Sequence, residues 1–353
     1  GRLLAGDGEE SGGNPIIPDT VSEDAIWACT TCGACMQECP PFIEHVQKIV
    51  DLRRHLVLTE SRFPQEMQPV FRNMEVNYNP WALGYASRAD WVGDMEIPLA
   101  SEKESFNVLF WVGCAGSFDA RGQSVTRSTA ELMRRAGVDF AILGTEEMCC
   151  GETARRMGNE YLAQTLIESN IETFRKYRFS LIVTICPHGL NTFKVEYPQF
   201  GFEVPVIHHS EFLLKLVREG RLKIGGAGDI HGTYHDSCYL GRYNGILREP
   251  RELLGHIDDV SIVEFRRRGK RSFCCGAGGG RMWLEENLGR RINEERVDEF
   301  LGLNVDHIFT ACPFCLTMFE DGLKSRDRED VKVLDIAEIL LEACGSSSEP
   351  KPA

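Results

Sequence analysis

Apolar positions fall into two regimes along the chain. Over 41–58 they recur at roughly helical spacing, through Ile43, Val46, Ile49, Val50, Leu52 and Leu56, which predicts one helix. Over 61–100 the pattern is interrupted by Pro64, Pro69, Pro80 and Pro98, so short helices joined by turns are expected there. Beyond that, short β-type runs at 107–112, 139–143, 180–185 and 204–207 alternate with helical stretches at 120–136, 158–178 and 210–219. Strands alternating with helices predict a parallel sheet covered on both faces.

The second half of the chain repeats this pattern. Cys114, Cys149-Cys150-Gly151 and Cys186-Pro187 are followed by Cys238, Cys274-Cys275-Gly276 and Cys312-Pro313-Phe314-Cys315, at offsets of 124, 125 and 126 positions. The likeness extends past the cysteines: the segment from Val204 to Leu214 parallels that from Val331 to Leu341. The expected fold class is α/β, with a small, mostly helical module ahead of two repeated α/β domains with parallel sheets. The expected division is a linker over 1–24, the helical module and connector over 25–100, the two repeats over 101–225 and 226–345, and a disordered tail over 346–353.

Composition narrows the function. With 42% hydrophobic and 26% charged residues, the chain can bury a core. Its net charge of −14 argues against nucleic acid as a partner. No run approaches the ~18 apolar residues of a membrane span. The chain opens at Gly1 without a Met or a signal pattern, so a longer protein with any membrane anchor upstream is expected.

The 14 cysteines carry the chemistry. They are bunched at metal-ligand spacings in a long chain without a signal peptide, which argues against a disulfide framework. Cys29, Cys32, Cys35 and Cys39 form C-x2-C-x2-C-x3-C-P, the bacterial ferredoxin spacing for [4Fe–4S] ligands. Zinc sites more often use two separated pairs. In two-cluster ferredoxins the fourth cysteine serves the other cluster. Either all four hold one cluster here, or a partner run lies before Gly1; the second reading is preferred, with 6–14 as a surface loop.

Adjacent cysteines can serve one cluster only where the backbone turns sharply, and the following glycine permits that turn. The second copy is expected to open a helix at Gly276, whose free N–H groups would face the thiolates. It offers five of them: Cys238, Cys274, Cys275, Cys312 and Cys315. A simple cubane needs four, so a bridging thiolate or an opened cluster is implied. The first copy offers Cys114, Cys149, Cys150 and Cys186, with Gly189 in the place of Cys315. His188 is read as a loop histidine in preference to a ligand. The Gly276–Gly280 run fits neither a P-loop nor a dinucleotide fingerprint.

The pattern C-x35-CCG-x35-CPxC resembles the catalytic subunit of heterodisulfide reductase and its relatives, over nearly the whole chain. The resemblance implies a noncubane [4Fe–4S] cluster on Cys238, Cys274, Cys275, Cys312 and Cys315. Trp27 to Cys32, Phe42 to Val46, Asn79-Pro80-Trp81, Arg88 and Trp91 resemble bacterial membrane-bound iron–sulfur oxidoreductases that pass electrons from electron-transfer flavoprotein to menaquinone. That likeness implies a flavoprotein donor, an upstream membrane domain with a second ferredoxin run, quinone as acceptor, and a place on the cytoplasmic face of the membrane. The competing functions are direct disulfide reduction at the five-cysteine site, an iron–sulfur subunit of a glycolate or lactate oxidase, and a zinc-stabilised interaction module.

Three features carry less weight. The basic run Arg266–Arg271 reads as a solvated loop ahead of a docking patch. His235-Asp236 fits a proton relay and a hydrogen-bonded loop equally. Cys344 reads as a small buried residue.

Overall fold

The computed structural model describes residues 16–286 and 288–346. The predicted loop over 6–14 and nearly all of the predicted tail lie outside them. In the first repeat, β1 (Val108–Trp111), β2 (Phe140–Ala141), β3 (Leu181–Thr184) and β4 (Val206–His208) form a sheet of order β2-β1-β3-β4. In the second, β5 (Gly226–Tyr234), β6 (Asp258–Ile262), β7 (His307–Thr310) and β8 (Lys332–Asp335) follow the equivalent order β6-β5-β7-β8. Every pairing is parallel. The duplication in sequence is thus one of topology, and the chain is α/β as expected. Strands β1 and β7 are buried along their whole length. This is why they read as continuous apolar runs and not as alternating ones.

The helices follow the predicted spacing with shifted ends. Ala120–Arg135 is capped by Asp119, whose carboxylate accepts from the Gly122 N–H. Asn159 caps Glu160–Phe174 in the same way through the Leu162 N–H. The helix expected from 41 begins only at His45, because Phe42 turns the chain at φ +57 after the two prolines.

The helical module packs onto the first repeat. Ile26, Trp27, Leu56, Met67, Phe71 and Met74 share a core with Ala154, Met157, Leu162 and Leu166. The repeats share one apolar core, and polar pairs cross between them. Arg121 reaches Glu320, Glu338 and the Val333 carbonyl. His209 Nε2 meets Asp335 Oδ1 at 2.8 Å with both side chains fully buried. Among the described residues no helix is long and apolar enough to cross a membrane.

Candidate metal centres

The cysteines gather where the strands end. Cys114 follows β1, Cys186 follows β3, Cys238 follows β5 and Cys312 follows β7. Open parallel sheets place their sites at these carboxyl edges.

In the second repeat all five predicted sulfurs converge. Cys315 donates to Cys275 at 3.3 Å, and Ser237 Oγ lies 3.3 Å from Cys315. Cys238 and Cys275 each share a hydrogen bond with Cys274. All five cysteines are buried. The Cys274 thiol beside it, and then that of Cys315, draw the Cys275 thiol well below the usual thiol range. Cys312 is held at about 7: burial opposes its ionisation, but the Cys315 hydrogen bond and the charge of His188 outweigh it. The same contacts push the Cys238 and Cys315 thiols well above the usual thiol range, so the protons are shared unevenly across the set. Five buried soft sulfurs in contact suit an iron–sulfur group, which takes thiolates.

The turn at Gly276 is real, at φ +103, but no helix opens there. The expectation fails because the glycines serve a different approach. A Cβ on Gly278 would lie 2.4 Å from the Thr30 carbonyl oxygen, and one on Gly279 2.5 Å from that of Cys29. The glycine run lets the first motif's backbone lie directly on the second site. It is the first repeat that opens a helix after its glycine, at Glu152–Arg156.

That contact is the main finding of the site. The Cys274 thiol donates to Thr30 Oγ1 at 3.5 Å and also shares a hydrogen bond with Cys32. In the first motif the Thr31 N–H donates to Cys29 Sγ and the Ile43 N–H to Cys39 Sγ, while Cys35 is exposed. Arg53 fixes the junction. Its guanidinium donates to the carbonyls of Ile26, Trp27, Cys29, Arg156 and Gly279, at 2.7–3.3 Å. Sequence reasoning passed over it, although a charged residue on the apolar stripe of its helix was the available signal.

In the first repeat, Cys114, Cys149 and Cys150 are hydrogen-bonded in series, and Cys186 stands near Cys150. Burial, and next the Cys312 charge from the other repeat, push the Cys186 thiol well above its usual value. The two sites are neighbours: the His188 ring, two residues from Cys186, lies 5.4 Å from that of Phe314, which stands between Cys312 and Cys315. His188 is not a loop residue: it is buried on the short helix Pro187–Asn191, pairs with Glu152 at 2.9 Å, and stacks on Tyr239 at 4.0 Å. Helix Pro187–Asn191 turns its ring into the inter-repeat seam, and Gly189 adds no donor.

The remaining candidates separate. A ring nitrogen of His235 lies within 4.8 Å of the Cys275 and Cys315 sulfurs. Burial, and next Arg296, hold His235 well below its usual pKa. Asp236 gives both carboxylate oxygens to Arg251 and the Gly269 N–H, which matches the hydrogen-bonded-loop alternative. The basic run is partly structural: Arg267 pairs with Glu295 and Glu299 and lies over Phe273, while Arg271 pairs with Glu38. Cys344 is only partly covered, not buried.

The cysteine-rich domain (CCG) family matches residues 108–194 and 232–320. The chain is 47% identical over 341 residues to the EtfAB:quinone oxidoreductase of Syntrophomonas wolfei, covering 93% of this chain and 48% of that protein. It is 47% identical over 339 residues to the "Probable iron-sulfur-binding oxidoreductase FadF" of Bacillus subtilis, covering 94% and 48%. It is 31% identical over 334 residues to a subunit of the dihydromethanophenazine:CoB–CoM heterodisulfide reductase of Methanosarcina acetivorans, covering 93% and 80%. The chain spans about half the length of the first two relatives. Two CCG repeats and this kinship place the chain in the CCG-domain family of iron–sulfur oxidoreductases related to heterodisulfide reductase.

Proposed function

We propose that this chain relays electrons from a flavoprotein donor toward a membrane quinone. The observation that supports it most is the contiguity of three thiol sets. The first motif meets the five-cysteine site through Cys32 and Cys274, and that site adjoins the first repeat where His188, beside Cys186, packs against Tyr239 and Phe314, beside Cys238 and Cys312. The five-cysteine site is the middle member of the series.

On this reading Cys29, Cys32 and Cys35 hold a cubane [4Fe–4S] cluster, with Cys39 serving the same cluster or one completed by another run. Cys238, Cys274, Cys275, Cys312 and Cys315 hold a noncubane cluster, and Cys114, Cys149, Cys150 and Cys186 hold a third. The bound clusters supply reversible one-electron storage. The chain's own residues fix their spacing. Arg53 ties the backbone of all three parts together, the glycine run allows the close approach, and burial of the five-cysteine set excludes water. The helical module, including 25–100, and the repeats at 101–225 and 226–345 form the working units. The donor and the quinone are proposed from the name of the Syntrophomonas relative, and a membrane domain on the same protein would hold the chain at the cytoplasmic face.

The test is reoxidation. The protein is reduced, then given menaquinone analogues or a small disulfide. The relay predicts rapid reoxidation by the quinone analogues. Rapid reoxidation by the disulfide alone would replace the relay with disulfide reduction at the five-cysteine site. Coupling only to a 2-hydroxy-acid-oxidising flavoprotein would assign the chain to a glycolate or lactate system.

A further inference from the structure

The two repeats differ in charge as well as in cysteine count. Arg88 is 1% exposed and its Nη2 donates to Cys114 Sγ at 3.4 Å. The same nitrogen donates to the Tyr78 carbonyl at 3.0 Å, and Nη1 to Glu147 at 2.8 Å. Glu147, 2% exposed, accepts in turn from the Val112 and Gly113 N–H groups at 3.1 and 2.8 Å. Gly113 precedes Cys114, and Glu147 lies two residues before Cys149. One buried ion pair thus clamps both cysteine loops and aims a fixed cation at one sulfur. Its burial works against the charge on Arg88, yet Cys114 and then Glu147 keep it protonated.

Among the described residues the second repeat shows no such device. At the offset of the Cys-Cys-Gly elements, Ser272 stands where Glu147 stands. Hydrogen bonds to its sulfurs come from the Ser237 hydroxyl, backbone N–H groups and neighbouring thiols. Among the described residues no arginine or lysine donates to them.

We infer that Arg88 is a positioning residue of the first site: it orients Cys114 and raises the reduction potential of a cluster held there. The inference rests on the proposal that Cys114, Cys149, Cys150 and Cys186 hold one. A cation and an N–H donor at a ligand sulfur favour the form with the extra electron, and hydrogen bonds to the sulfurs and net charge are what tune such potentials. Four thiolates with an arginine donating to one of them in the first site, and five with no arginine or lysine donor among the described residues in the second, give the neighbouring sites different affinities for an electron.

The experiment is an EPR-monitored potentiometric titration of the full chain with its clusters, alongside iron analysis. Cys149→Ser first identifies the first-site signal. If it leaves both iron content and spectrum unchanged, the first site holds no cluster and the reading beneath the inference falls. With the signal identified, Arg88→Met/Glu147→Gln removes the donor without leaving a buried lone charge. The expected result is at least a tenfold rise in the oxidised-to-reduced ratio of that signal at fixed potential, about 59 mV for one electron, with the other signals unmoved. Arg88→Lys, which keeps the cation but not the fork, gives a smaller shift in the same direction and decides the matter if the double variant loses iron. An unchanged first-site midpoint with iron retained, or an equal shift of every signal, overturns the assignment.

Discussion

Cys274 and Thr30 meet side chain to side chain at 3.5 Å, although one closes the second repeat's site and the other lies inside the first motif. With Cys32 also hydrogen-bonded to Cys274, two cysteine sets distant in sequence become neighbours. Clusters held there would interact magnetically. The prediction is a first-motif EPR signal that is broadened and hard to saturate in the reduced protein, and that sharpens in Cys275→Ser. A signal with the same linewidth and saturation in both proteins would show that the two sets are not adjacent.

Arg53 holds the junction with one guanidinium and five carbonyl acceptors. Hydrogen bonds to charged groups are each worth about 1.5–3 kcal/mol, and abandoned buried acceptors add a further penalty. Arg53→Met is therefore predicted to lower unfolding stability by about 3 kcal/mol or more. Lysine should not restore it, since an ammonium has three donors and no planar fork. Denaturant unfolding of the three proteins tests this; a loss under about 0.5 kcal/mol would mean that Arg53 does not carry the junction.

Much of this architecture was legible from sequence, for reasons that particular residues show. The buried strands Val108–Trp111 and His307–Thr310 are short, largely apolar runs, and the offset between Cys114 and Cys238 holds to within two positions across the repeat. What sequence could not reveal was contact between remote segments. Gly278 and Gly279 looked like a helix start, but their missing side chains make room for the Cys29-Thr30 backbone. His188 looked like a loop residue because its partners, Glu152 and Tyr239, lie in other elements. Arg88 was noticed only as part of a likeness, since its acceptor Cys114 and its counter-ion Glu147 are distant along the chain.

His209 and Asp335 join the two repeats through a fully buried pair. Removing one member of a buried hydrogen-bonded pair costs about 1–3 kcal/mol, the penalty of leaving its partner less satisfied. His209→Leu is predicted to destabilise the chain by that amount, whereas the same change at exposed His231 should be nearly silent. Equal effects from the two variants, read by thermal or denaturant unfolding, would remove the pair from the account.

His208 supplies a pH dependence. Burial, and next the neighbouring His209, hold its pKa well below the usual histidine value. The unfolded chain takes up a proton below about pH 6.5 while the folded chain does not. The stabilisation is thus complete above about pH 6.5 and is lost as pH falls from there toward the folded pKa. His208→Asn should flatten the fall in unfolding free energy between about pH 7 and pH 5. A steeper fall in the variant would contradict the sign.

The central claim is that separate iron–sulfur sites stand in series, with the five-cysteine site in the middle. Iron and sulfide analysis with EPR on the wild type and on Cys275→Ser tests it most directly. The account predicts that the variant loses iron and one paramagnetic species while the ferredoxin-type signal survives. Loss of every signal together, or a protein that binds zinc and shows no reducible signal, would contradict it.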